Sequence, residues 1–325
     1  MRIYKDNIFL RTFERKRHHC MQALKFKPLV KTLVWGTESW EISGVKGNES
    51  IVAEGPLAGQ SIAELTKEHK AALLGRHVWE ESGAEFPLLV KFIDAHQDLS
   101  IQVHPNDELA AARHGCKGKT EMWYVLDAAP GASLLVGLSR AVSPDELSAR
   151  TADGSLTQVL RRYEVRPGDV FFLPAGRIHA IGGGCRIAEI QQTSDITYRL
   201  FDYNRPGLDG KPRQLHTELA KDAIDYTVLK DYRTPYTPLP DEEVDVVSCP
   251  QFTTSVLDLS LPYAKDLSAI DSFLVVMCLE GGGEMEVDGA QMSIGQGETV
   301  LIPADADDMC LIPDDGMKIL TSYIR

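Results

Sequence analysis

Residues 99 to 104, Leu99-Ser100-Ile101-Gln102-Val103-His104, alternate apolar and polar without a break. A period of two predicts a strand, because successive side chains point to opposite faces. Leu99, Ile101 and Val103 then pack behind, while Ser100, Gln102 and His104 share the other face. A second run, residues 119 to 126, is rich in β-formers and puts Lys119 and Glu121 on a common face. A third, around Val170-Phe171-Phe172-Leu173, is wholly apolar, entered through Gly168 and stopped by Pro174 and Gly176. Residues 272 to 279 read as a buried strand, with Gly281-Gly282-Gly283 and Asp288-Gly289 as turn signals.

Helix signals fall between these runs. Ser61 and Glu64 form a capping box for a helix that Gly75 can close, and Ser143-Pro144-Asp145-Glu146 starts another. Pro105-Asn106-Asp107 opens a short helix ending near Gly115, and a fourth is expected over about 215 to 226. Three prolines and an acidic cluster in residues 234 to 243 mark a linker.

Past the linker, Gly297-Glu298-Thr299-Val300-Leu301-Ile302-Pro303-Ala304 repeats Gly168-Asp169-Val170-Phe171-Phe172-Leu173-Pro174-Ala175 at an offset of 129. The repeat predicts a second barrel in which Asp308 stands where His179 stands in the first. The expected division is 1–20 an extension outside the fold, disordered or from a misassigned start, then 21–240 and 241–325 as two domains, the second without metal. The expected fold class is mainly β, two antiparallel jelly-roll barrels with helices added to the first.

Gln102, His104, Glu121 and His179 together offer two imidazoles, a carboxylate and an amide oxygen. One Glu among neutral donors leaves a divalent site with net positive charge, which favours an anionic ligand. Taken singly, each has a plain structural reading, a strand-face Gln or His or a buried Glu. Residues 168 to 179 narrow the choice, because they closely match the second cupin motif, G-[DE]-x-x-x-x-P-x-G-x-x-H, in which the terminal His is a metal ligand.

Adding Gly118-Lys119-Thr120-Glu121 and Ser194-Asp195-Ile196-Thr197-Tyr198-Arg199, with supporting stretches at Trp35-Gly36, Glu38-Ser39-Trp40-Glu41 and Leu215-His216-Thr217-Glu218-Leu219, the chain resembles the short bacterial form of type I mannose-6-phosphate isomerases from about Met21 onward. The resemblance implies one zinc ion per chain on Gln102, His104, Glu121 and His179. It places Ser100 and Lys119 near the substrate phosphate and Arg199 beside the reacting carbons. Where longer relatives carry a His, this chain has Gly118, so no role of that side chain transfers. Glu189 is a candidate base, with a structural role equally open. Two other readings stand beside this one: another metal-dependent cupin enzyme such as an iron oxygenase, and a non-catalytic sugar-binding cupin.

The 325-residue chain has a net charge of -13, which argues against nucleic acid or anionic membrane as partners. A sugar phosphate therefore needs a local basic pocket, for which Lys119, Arg199 and Arg205 are the candidates. No apolar run approaches the roughly 18 residues that span a bilayer. Six scattered cysteines suggest no disulfide framework, and the basic start lacks the apolar core of a secretory signal. Cytoplasm is the expected compartment, and a monomer or weak homo-oligomer the expected state.

Overall fold

The computed structural model describes residues 21–325, so the expectation for 1–20 lies outside the described residues. The chain is mainly β, and two antiparallel sheets build the first barrel. One runs, edge to edge, through Val170–Leu173, Glu121–Ala128, Cys185–Gln192, Leu88–Ala95, Gly36–Ser43 and Leu29–Leu33. The other orders Tyr198–Phe201, Ile101–Val103, His179–Ile181, Ser133–Leu138 and Leu160–Glu164. Apolar residues of both, among them Ile93, Trp123, Phe171 and Ile187 with Leu134, Val136 and Ile181, close the space between them. The two sheets make a jelly-roll sandwich.

A nine-stranded sheet forms the second barrel. Its strands Thr299–Ile302 and Asp308–Tyr323 correspond at an offset of 129 to Val170–Leu173 and to the start of His179–Ile181, so the sequence repeat is a structural repeat. Asp288-Gly289 makes the expected hairpin turn, both residues with positive φ. Gly281-Gly282-Gly283 does not end a strand. It lies inside the 14-residue strand Leu274–Val287, where the register shifts, and a Cβ at Gly283 would lie 2.1 Å from the Ile312 carbonyl oxygen. Glycine here lets one strand bend past its neighbour.

The two barrels share a core. Leu24–Lys27 pairs with Thr299–Ile302, and one buried cluster joins Phe26, Ile42, Leu65, Phe86 and Ile190 to Phe252, Phe273, Val275 and Leu320. This sharing explains why the helix opened by Ser61 differs from expectation. The capping box forms, but the segment breaks into Ile62–His69, Ala71–Leu74 and Arg76–Ser82, with Lys70 at φ 51°. Breaking it turns the carbonyls of Ala72, Leu73 and Leu74 toward the second barrel, where they accept from Asp305, Ala304 and Phe273. The Asp107–His114 and Pro144–Asp153 helices have the expected caps, Asn106 and Ser143. The fourth is only Thr217–Lys221: Gln214 and His216 bond to Arg199 before it, and past its end the Asp225 N–H donates to the Gly176 carbonyl. No helix among the described residues is long and apolar enough to cross a membrane.

Candidate active site

Gln102 is the centre strand residue of a three-strand ladder, with His179 opposite it on one side and Arg199 on the other. On the facing sheet, Glu121 lies opposite Gln191. His104 follows the Gln102 strand, and its carbonyl accepts from Gly176 at the turn that leads to His179. One motif thus fixes both histidines. Gly118 passes so close to residues 105 to 107 that a Cβ would lie 2.6 Å from Asn106 and Asp107 backbone atoms, so this position admits no side chain.

His104, Glu121 and His179 are buried, and their ligating atoms lie within 4.8 Å of one another. Nε2 of His179 is 3.1 Å from Glu121 Oε1, and Nε2 of His104 is 3.5 Å from Oε2. Each Nδ1 faces a main-chain carbonyl, that of Ile196 at 2.8 Å for His104 and that of Arg177 at 2.9 Å for His179. A carbonyl only accepts, so both Nδ1 atoms carry the proton and both Nε2 lone pairs point at Glu121. The amide nitrogen of Gln102 sits 3.3 Å from His179 Nε2, and half a turn of that amide presents its oxygen instead.

Electrostatics favour a cation among these atoms. Burial, then the nearby Lys119, holds His104 well below the ordinary histidine range and His179 at about 3, so both rings are neutral. Burial, reinforced by Glu189, pushes Glu121 up to about 7. Neither Glu121 oxygen accepts a well-oriented hydrogen bond, although Lys119 Nζ lies 3.0 Å from Oε2 and 3.2 Å from His104 Nε2. Two neutral imidazoles and an underserved buried carboxylate fit a divalent ion of the kind that takes nitrogen and oxygen ligands.

The cluster lies behind Gln102 and Lys119, which are 3.3 Å from His179 Nε2 and 3.0 Å from Glu121 Oε2 and line a cavity of about 210 Å³ together with Ser100, Glu189 and Arg199. At ~30 Å³ per water, this is room for a small molecule. Across the larger sheet runs a cross-strand row, Trp123, Glu189, Lys91 and Trp40. Glu189 accepts from Trp123 Nε1 at 2.6 Å and pairs with Lys91 at 2.8 Å. Burial raises its pKa, but Lys91 and Lys119 outweigh burial, so the carboxyl is held below its ordinary value and ionised.

Arg199 is half-buried in the lining of the cavity, its Nε donating to Ser100 Oγ at 3.3 Å. Arg205 does not line the cavity. Asp202 takes its guanidinium at 2.8 and 3.0 Å and also binds Arg213, which does line the cavity. The turn that brings these arginines to one carboxylate holds Tyr203 and Asn204 at φ 55° and 54°. Burial, then Arg213, lowers Arg199, and this crowding of positive charge suits an anion at the cavity.

Arg213 and Lys91 were not singled out from sequence, and Trp40 appeared only within a stretch supporting the resemblance. Lys91 had a signal: a lysine inside the apolar run Leu88-Leu89-Val90-Lys91-Phe92-Ile93 requires a buried acidic partner. Arg213 had none, since only the turn at residues 203 and 204 brings it to the cavity.

With this geometry in hand, two family models match. Residues 24–127 match the catalytic domain of type I phosphomannose isomerase, and 242–318 the cupin domain of mannose-6-phosphate isomerase. The mannose-6-phosphate isomerase ManA of Bacillus subtilis is 33% identical over 306 residues, covering 87% of this chain and 93% of its own. The chain belongs to the type I phosphomannose isomerase family. Among its relatives, the mannose-6-phosphate isomerase of Streptococcus mutans is 35% identical over 267 residues, 82% of each chain. The crystal structure of the Bacillus subtilis mannose 6-phosphate isomerase superposes with a TM-score of 0.81 at 28% identity, covering 94% of this chain and all of that one. In this phosphomannose isomerase family member, both matched regions contribute strands to the shared core described above.

Proposed function

We propose that this isomerase interconverts mannose 6-phosphate and fructose 6-phosphate by moving a proton between C2 and C1 through an enediolate, with one zinc ion held by Gln102, His104, Glu121 and His179. The observation that carries the reading is the convergence of two Nε2 lone pairs and the Glu121 carboxylate directly behind Gln102 and Lys119, which line the cavity with Arg199. Zinc, when bound, polarises sugar oxygens as a Lewis acid.

The chain's own groups do the rest. Glu189, ionised and facing the cavity, takes the proton from C2 of the aldose and returns it to C1, while the O2 proton passes to O1. Its lowered pKa keeps it in the basic form but makes it a weak base, so the negative charge on the enediolate has to be stabilised strongly. Arg199 supplies that stabilisation from a half-buried position where its field is little screened. Ser100, which holds Arg199, and Lys119 bind the anionic substrate, and Lys119 also balances Glu121. Arg205 acts one step back, on Asp202, and Arg213 is the one of these two that reaches the cavity.

A coupled assay on mannose 6-phosphate with Arg199→Ala tests this. The variant should fold and retain zinc yet lose roughly 10²- to 10³-fold in kcat, the scale for one oxyanion stabiliser. Lys119→Ala should act mainly on KM. Normal turnover by Arg199→Ala would reduce that arginine to an ion-pair partner.

A further inference from the structure

His216 belongs to the stretch Leu215–Leu219 that supports the family resemblance, and Gln214 lies just before it. They grip Arg199. Its Nη1 donates to the Gln214 carbonyl at 2.9 Å, its main-chain N–H donates to His216 Nδ1 at 3.1 Å, and its carbonyl accepts from the His216 N–H at 2.7 Å. The strand Tyr198–Phe201 is the edge of its sheet, paired only with Ile101–Val103, so these bonds satisfy the free edge at Arg199. An N–H only donates, so the Nδ1 that receives it is unprotonated.

We propose that His216 is a positioning residue for Arg199: its neutral Nδ1 fixes the edge strand where the guanidinium meets the cavity, and protonating His216 removes that acceptor. The inference rests on the role given to Arg199 above. The groups facing His216 are Arg199 and Tyr198 from the edge strand, the Tyr198 ring 6.4 Å away, and His114 from the Asp107–His114 helix, whose Nε2 is 2.7 Å from the Tyr198 hydroxyl. Burial first, then Arg199 and His114, holds His216 below its ordinary value. Protonation therefore enters below the usual histidine range, on the acid side of the activity profile.

The test is kcat and KM against pH for the full-length, metal-loaded enzyme, with His216→Ala, His216→Asn and Arg199→Ala alongside. Asparagine places Oδ1 where histidine has Nδ1, accepts the same N–H and does not titrate. His216→Ala should lose roughly tenfold in kcat, the scale of one lost hydrogen bond, with a smaller change in KM. His216→Asn should restore most of the loss and hold its kcat to lower pH than the unmodified enzyme, with metal content equal in all. A common acid limb for His216→Asn and the unmodified enzyme would overturn the proposal, as would an Asn variant as slow as the Ala one. Should His216→Ala misfold, the acid-limb comparison still decides. Normal turnover by Arg199→Ala would instead overturn the role of Arg199, leaving His216 nothing to act through.

Discussion

Replacing His179 with alanine is expected to remove both the metal and the turnover. The imidazole is nearly inaccessible, its Nε2 lies 3.1 Å from Glu121, and its tautomer is fixed by the Arg177 carbonyl. Alanine leaves Gln102, His104 and Glu121, one nitrogen ligand short, around a carboxylate that is already poorly served. A Lewis acid is worth several kcal/mol at the transition state, so kcat should fall on the order of 10³-fold or more. Metal analysis and the coupled assay read the two losses together. The unmodified protein should hold one zinc per chain and lose activity to a chelator. Full activity after complete metal removal would sink the mechanism.

The same variant makes a pH prediction for the metal-free state. His179 in the fold sits at about 3, far below the ~6.5 of an unfolded histidine, so across that window the unfolded chain binds the extra proton. Stability contributed by the neutral ring is therefore lost as pH falls below ~6.5. Glu121, raised to about 7, works in the opposite sense between that value and ~4.5, because there the folded carboxyl binds the proton. Deleting His179 removes only the destabilising contribution. The melting temperature of metal-free His179→Ala should then fall less on acidification, from ~6.5 downward, than that of the metal-free parent.

Positions of the proposed ligands were legible because two local rules fix them. Period-two alternation put Gln102 on one face with His104 beside it, and the glycine and proline around residues 168 to 179 set where the strand stops. Arg199 was legible only through resemblance, since its surroundings come from Gln214 and His216 across a loop. The row Glu189, Lys91 and Trp40 depends on register between three strands, which no single run of residues encodes. Arg205 and Arg213 look alike in sequence. What separates them is the pair of left-handed residues at 203 and 204, which turns one toward Asp202 alone and the other toward the cavity as well. Gly75 was legible as a helix stop, but the break at Lys70 was hidden for a related reason: the carbonyls it redirects serve a barrel some 200 residues away.

Ending the chain after Thr237 is expected to give a fragment, residues 21 to 237, that does not reach a stable fold. The cut falls in the linker, but the core does not end there. Val246, Phe252, Val256, Phe273, Val275, Met277, Leu279, Leu301 and Leu320 all leave a cluster that also contains Phe26, Ile42, Leu65, Phe86 and Ile190. Losing a large buried side chain costs about 2–5 kcal/mol, and a domain has only about 5–15 kcal/mol in total, so the nine losses, about 18 kcal/mol even at the low end, exceed what is available. Leu24–Lys27 would also lose its ladder to Thr299–Ile302, and the carbonyls of Ala72, Leu73 and Leu74 would lose their donors. The apolar face left bare should drive aggregation. The four proposed zinc ligands all lie within the fragment, so zinc would favour its folded form by mass action, but it covers none of the bared apolar surface. Expression of residues 21 to 237 with and without added zinc, followed by solubility and a cooperative melt, reads the outcome. A soluble fragment that melts cooperatively and turns over mannose 6-phosphate would show that the first barrel is held by its own sandwich core rather than by the one it shares.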